Sequence, residues 1–115
     1  MSKDRIFLLP PGFEDNDRRE YCPECAEIWG ILSWFPAIKE SLEIIYVPIE
    51  KPRAVMSAVL GDKNQNAPTL ILHADSPEFD NCGIMQYRGQ HFINNARDIG
   101  KYYAKRFGTP YPRGS

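Results

Sequence analysis

Ile6-Phe7-Leu8-Leu9 is a continuous apolar run, stopped by Pro10-Pro11-Gly12. Successive side chains of a strand point to opposite sides, so an unbroken apolar run suits a strand covered on both faces, as in a parallel sheet. A helical pattern comes next. Cys25, Ile28, Trp29, Leu32 and Phe35 recur at steps of three and four and share one face. Pro23 suits the first helical position, where the N–H it lacks would have no partner, and Pro36 stops the helix near Phe35. Leu42 to Ile49, LEIIYVPI, reads as a second strand, rich in β-branched residues and apolar on both faces. Strand, helix and strand make a βαβ unit, with parallel strands and a right-handed crossover.

The remaining elements are shorter. Lys51 to Leu60 is expected to form an amphipathic helix ended by Gly61, followed by the loop DKNQNA. A third strand, Thr69 to Leu72, is entered through Pro68. Residues 74 to 89 read as a surface excursion, and Gln90 to Ile93 as a short edge strand. A last helix runs from about Asn95 to Phe107, with Ile99, Tyr103 and Phe107 on one face and Gly108 and Pro110 closing it. The expected order is β-α-β-α-β-β-α.

A chain of 115 residues fits one domain, so residues 1–115 are read as a single unit with a frayed tail from about 109. With 14 basic and 15 acidic residues the net charge is −1. No basic run is interleaved with aromatics, so nothing electrostatic favours nucleic acid or an anionic membrane. No apolar run is long enough to span a bilayer. The start, MSKDRIFLLPP, lacks a secretory pattern, which predicts a cytoplasmic protein. Three cysteines suit a reduced compartment with one functional pair better than a disulfide framework.

That pair is Cys22 and Cys25, in YCPECA. With the helix starting at Pro23, Cys22 lies at its N-cap, beside N–H groups that have no partner within the helix. Those donors and the positive end of the helix dipole favour a thiolate, the reactive form. Cys25 lies one turn along on the apolar face and is expected to be sheltered. An exposed attacking thiol and a sheltered resolving thiol suit exchange through a mixed disulfide. Glu24, between the sulfurs, and Glu20 nearby disfavour a second negative charge, which predicts a reducing couple. Arg18 and Arg19 offset those acids or are simply solvated loop charges. Tyr21 packs beside the sulfur or belongs to the core.

A helix-opening Cys-x-x-Cys in this order of elements resembles the thioredoxin fold, and more so its compact glutaredoxin-like form. Ala67-Pro68-Thr69 is similar to the cis-proline loop that faces the dithiol there. INNARDIGKYYAKRFG resembles the last helix of the glutathione transferase N-terminal domain, with Ile99, Tyr102, Ala104, Phe107 and Gly108 in step. On Phe7 to Phe13 (FLLxPGF), Tyr21 to Cys25 (YCxxC) and Asn64 to Pro68 (NQxxP), the chain is identified as a member of a small bacterial family of thioredoxin-like proteins of unassigned function. The resemblance implies a three-layer α/β/α domain with a central four-stranded mixed sheet. It also implies a thiol-disulfide oxidoreductase with Cys22 and Cys25 as catalytic residues. Arg19, Tyr21, Ala67, Pro68 and Asn95 would contact the substrate, a thiol or disulfide protein or a small thiol. Arg19 occupies the position where glutaredoxins often carry a lysine for glutathione, and a cis Pro68 would leave the Ala67 backbone free to pair with an extended substrate.

The sequence also departs from these relatives. The loop before Cys22 is longer than in glutaredoxins. Asn94-Asn95 replaces a Gly-Gly, and Asn95-Ala96 replaces the transferases' acidic-serine pair. The hydroxyl that would hold glutathione's γ-glutamyl carboxylate is absent, which argues against glutathione, and no tightly bound cofactor is expected. Two rival readings remain, a non-catalytic binding module and a zinc site. A structural zinc site takes four ligands, commonly with a second close pair, whereas Cys82, His73 and His91 are scattered singly.

Overall fold

A computed structural model describes residues 3–115; Met1 and Ser2 of the N-terminal segment read above lie outside them. The elements are β1 (Asp4–Leu8), β2 (Phe13–Asp15), β3 (Arg18–Glu20), α1 (Pro23–Trp34), α2 (Pro36–Glu40), β4 (Leu42–Tyr46), α3 (Ala54–Leu60), β5 (Thr69–Ile71), β6 (Met85–Tyr87), β7 (Gln90–Ile93) and α4 (Ala96–Phe107). They form a mixed α/β fold around a five-stranded sheet of order β4-β1-β5-β7-β6. The strands β1 and β4 run parallel, Ile6 opposite Ile44 and Phe7 opposite Ile45. The joins β1–β5, β5–β7 and β7–β6 are antiparallel. The apolar run that opens the chain is therefore an interior strand, and Ile6, Phe7 and Leu8 are completely buried. On α1, Cys25, Ile28 and Leu32 face the core, as the three-four spacing requires. This helix packs against α2 and α4.

Four elements lie outside the expected set: β2, β3, α2 and β6. The main sheet has five strands, not four, because Met85–Tyr87 pairs with β7. Gln90–Ile93 is thus interior, and β6 is the edge. The turn between them puts Arg88 (φ 47) and Gly89 (φ 83) in the left-handed region, the conformation of a two-residue hairpin turn. An arginine there is an unusual turn residue, so the sequence signal was weak. The same device folds FEDNDRRE, expected as a loop, into the hairpin β2–β3. Asn16 (φ 54) and Asp17 (φ 59) make the turn, and Glu14 faces Arg19 while Asp15 faces Arg18. Opposite charges face each other across this hairpin, and no apolar alternation announces it.

Several boundaries move inward, the third strand ending at Ile71 rather than Leu72. The second strand ends at Tyr46 rather than Ile49. Helix α3 starts at Ala54 rather than Lys51, because the Arg53 N–H is taken by Gln65 Oε1 at 2.6 Å and Arg53 stays extended as the N-cap. Both Lys51–Pro52 and Ala67–Pro68 are cis peptides. In α4, Ile99, Tyr102, Tyr103 and Ala104 are buried, and Gly108 (φ 75) terminates the helix. Phe107, expected on the buried face, is partly exposed at the helix end and stacks on Tyr103. The segment after α4 carries no regular element. Its Pro112 covers Gly100, where a Cβ would come within 2.9 Å of the proline ring.

A buried polar cluster joins the first strand to the last helix. The Asp4 carboxylate, 1% exposed, accepts from the His73 N–H at 2.8 Å, the Ser76 hydroxyl at 2.6 Å, the Tyr103 hydroxyl at 3.0 Å and Arg106 Nη1 at 2.7 Å. It anchors the start of the 74–89 excursion as well as α4.

Candidate active site

Cys22 is the N-cap of α1, in extended conformation (φ −81, ψ 115), with Pro23 opening the helix. A helix leaves its first N–H groups without intrahelical acceptors, and an N-cap side chain normally offers an oxygen to one of them. Here the acceptor is sulfur: the Cys25 N–H donates to Cys22 Sγ at 3.1 Å. The helix dipole adds positive potential at the same sulfur. Cys22 is partly exposed, and its thiol donates to the Ala67 carbonyl at 3.8 Å.

Cys25 is 4% exposed, and its Sγ accepts the Leu9 N–H at 3.4 Å. Burial, and after it the hydrogen bond with Cys22, pushes this thiol up to about 12. Cys25 therefore keeps its proton at neutral pH. The shift has a consequence for stability. The folded thiol holds its proton above the ordinary value of 9.0, whereas the unfolded thiol does not. Its contribution is complete below that value and is lost as pH rises from there to about 12. In urea unfolding of the reduced protein over this window, the wild type is expected to lose stability more steeply than Cys25→Ser. Parallel curves would contradict the assignment.

The two acids expected to oppose a thiolate have other partners. Glu24 Oε1 accepts the Ala96 N–H at 3.0 Å, in the first turn of α4, while its charge still helps to raise the Cys25 thiol. Its charge is thus met by a second helix dipole. Glu20 accepts from Arg18 Nε at 2.8 Å and from Asn16 Nδ2 at 3.3 Å. These bonds, Arg18 first, hold its carboxyl below the usual range.

Beside the thiols lies a cavity of about 290 Å³, walled by Leu9, Pro11, Tyr21 and Trp29 together with both cysteines. Tyr21 is 64% exposed, so it forms a wall of this cavity rather than core. Ala67 presents its carbonyl to Cys22, and Pro68, the next residue, is buried. Arg19 is not among the residues lining the cavity. It lies on the hairpin, its guanidinium so close over Gly12 that a Cβ there would be 2.5 Å away. Asn95 caps α4, its Oδ1 accepting the Asp98 N–H at 2.8 Å.

Arg53 carries no site role in the sequence reading, yet it is 3% exposed and bonds the loop that leads to Ala67. Its side chain donates to the carbonyls of Pro48 (2.7 Å), Ile49 (3.3 Å) and Gln65. The amides of Asn64-Gln65-Asn66 also have definite partners. Asn64 bonds Leu60 O at 2.7 Å, Gln65 bonds Ser57 Oγ at 2.9 Å, and Asn66 bonds Asn94 O at 2.6 Å. The loop leading to Ala67 is therefore pinned to both α3 and the approach to α4. Three adjacent amides before Pro68 were the available signal, but nothing local said what they would hold.

The remaining candidate metal ligands stay dispersed. Cys82 is fully buried and donates to Asp80 O at 3.6 Å. His73 accepts the Asp75 N–H at 3.1 Å, and His91 lies 3.6 Å from Glu78. Among the described residues no three His, Cys, Asp or Glu side chains group closely enough to hold a metal ion. No helix among them is long and apolar enough to cross a membrane. A family profile described as "Protein of unknown function (DUF3088)" matches residues 3–111. No curated protein and no solved structure matches the chain.

Proposed function

We propose that this chain, which belongs to that family of unknown function, is a thiol-disulfide oxidoreductase built on a three-layer, glutaredoxin-like version of the thioredoxin fold. The observation that carries the reading is the contrast between the two sulfurs. Cys22 Sγ receives a helix-start N–H at 3.1 Å and is reachable from the apolar cavity, while Cys25 is sheltered and holds its proton. That division of labour is what exchange needs.

In the reducing direction the Cys22 thiolate attacks one sulfur of a substrate disulfide. A Cys22–substrate bond forms, the substrate's own S–S bond breaks, and the departing sulfur takes a proton from water. The mixed disulfide removes the negative charge beside Cys25. Because interaction with Cys22 helps to hold the Cys25 proton, this makes that proton easier to lose to water. The Cys25 thiolate then attacks the Cys22 sulfur, and the second substrate sulfur leaves and is protonated. Two electrons have passed from the dithiol to the substrate, and a Cys22–Cys25 disulfide remains for a thiol reductant to reopen.

The substrate side of the site favours a peptide or small disulfide with an apolar group for the wall of Tyr21, Pro11 and Trp29. Glutathione is disfavoured. Ala96, which replaces a serine in the glutathione transferase resemblance, has its N–H already bonded to the protein's own Glu24. The test is reduction of insulin and of hydroxyethyl disulfide, with dithiothreitol, glutathione or a thioredoxin reductase system as donor. Acceleration over the donor alone is the expected result. No acceleration with any of them overturns the catalytic reading in favour of a binding module that uses the same cavity.

A further inference from the structure

Trp34, the last residue of α1, is 80% exposed, and Tyr111, beyond α4, is 56% exposed. They border a hollow of about 690 Å³ between α1, the first half of α4 and the segment that follows α4. Ile31, Phe35 and Pro110 line it as well, so the apolar surface is continuous across separate segments. Single exposed apolar residues are common, whereas a joined patch with large aromatic rings is seldom left to water. The hollow shares no lining residue with the cavity beside the thiols.

Gly30 lies in the wall of this hollow, inside α1. A glycine within a helix is less stable than an alanine, so packing ordinarily accounts for it. At Gly100 the reason is visible, since a Cβ there would strike the Pro112 ring. At Gly30 a Cβ would meet nothing within 4 Å. The chain's own packing gives that glycine no role, and a side chain entering from another molecule would.

What enters has to match the rest of the face. Trp34 projects beside a hollow with apolar walls, so the face carries both a knob and a place for one. It also carries both signs of charge. Arg97 Nε and Glu27 Oε2 lie 3.8 Å apart, with side chains 53% and 39% exposed. A surface pair this long and this open contributes little within the chain, which leaves both groups available to opposite charges from outside. A face that holds its own complements in shape and charge suits an isologous contact, where one patch is used twice about a two-fold axis. Tryptophan, tyrosine and arginine are also the residues that most often carry such contacts.

We propose that two copies of this chain associate through this face. Trp34 of each copy enters the other's hollow over Gly30, and Glu27 of one copy is set against Arg97 of the other. Both thiol cavities stay open in that dimer, and the contact does not depend on the redox reading.

The experiment is sedimentation equilibrium of the full chain over a concentration series reaching about 0.1 mM. Dithiothreitol is present, so that no disulfide joins the copies. The wild type is expected to pass from the monomer mass to twice that mass. Trp34→Ala should weaken association about tenfold or more. Gly30→Gln should weaken it comparably, while its thermal midpoint in dilute solution stays level or rises, because glutamine is the better helix former. Arg97→Glu should also weaken association, and adding Glu27→Arg to it should restore the dimer. All four positions are exposed, so the variants keep the fold. A wild type that stays monomeric throughout overturns the proposal and leaves the face to a different partner. A dimer left intact by Trp34→Ala or by Gly30→Gln overturns it by placing the contact elsewhere. So does an exchanged charge pair that fails to restore what Arg97→Glu removes.

Discussion

Asp4→Ala is expected to lose about 3–5 kcal/mol of folding stability in urea unfolding, the cost typical of breaking a buried ion pair by removing one partner. The substitution strands four donors at once: the His73 N–H, the Ser76 and Tyr103 hydroxyls and Arg106 Nη1. Tyr103 is itself buried, so its hydroxyl cannot turn to water for a replacement. Arg106 retains some exposure, its side chain being 22% accessible, which keeps the loss from being larger. Against a total stability of about 5–15 kcal/mol for a domain of this kind, the variant should be marginal at room temperature. Asp4→Asn should also be costly, because its amide donors meet donors. A loss below about 1 kcal/mol, the worth of one ordinary hydrogen bond, would mean that the cluster is not a main support of the fold.

The second large effect separates the two cysteines. Cys22→Ser is expected to reduce disulfide turnover to the background of the reductant alone, because the partly exposed sulfur at the N-cap is gone and the sulfur left in the cavity wall, Cys25, is buried. Cys25→Ser should instead retain the first step and accumulate a mixed disulfide at Cys22. Incubation with an aromatic disulfide, followed by intact mass measurement, distinguishes them: one adduct on Cys25→Ser, none on Cys22→Ser. Cys82, fully buried, should stay unmodified in both. Equal labelling of the two variants would contradict the assigned roles. In the binding-module alternative neither substitution changes a rate, since there is none to change.

Much of this was legible locally. The buried strand at Ile6, the helix that starts at Pro23 and ends before Pro36, and the N-cap position of Cys22 all follow from apolar spacing and proline. Each is decided by residues within a few positions. The two hairpins were not legible, because β2 and β3 carry Phe13 as their sole apolar residue and the β6–β7 turn opens on an arginine. Asn16-Asp17 was a turn signal, but strands without an apolar alternation have nothing to set their register in advance.

The site divided along the same line. Sequence alone placed two sulfurs at a helix start and ordered them, the first toward solvent and the second toward the core, because helix geometry fixes what lies three residues apart. It could not say where Glu24 points, since that depends on the Ala96 N–H, 72 residues away. Nor could it say that the Leu9 N–H would meet Cys25, or that Arg53 would be buried with only carbonyls around it. Charge acts through space rather than along the chain. The pair of cysteines at a helix start was therefore written in local sequence, and the charges around it were settled only when distant segments packed against it.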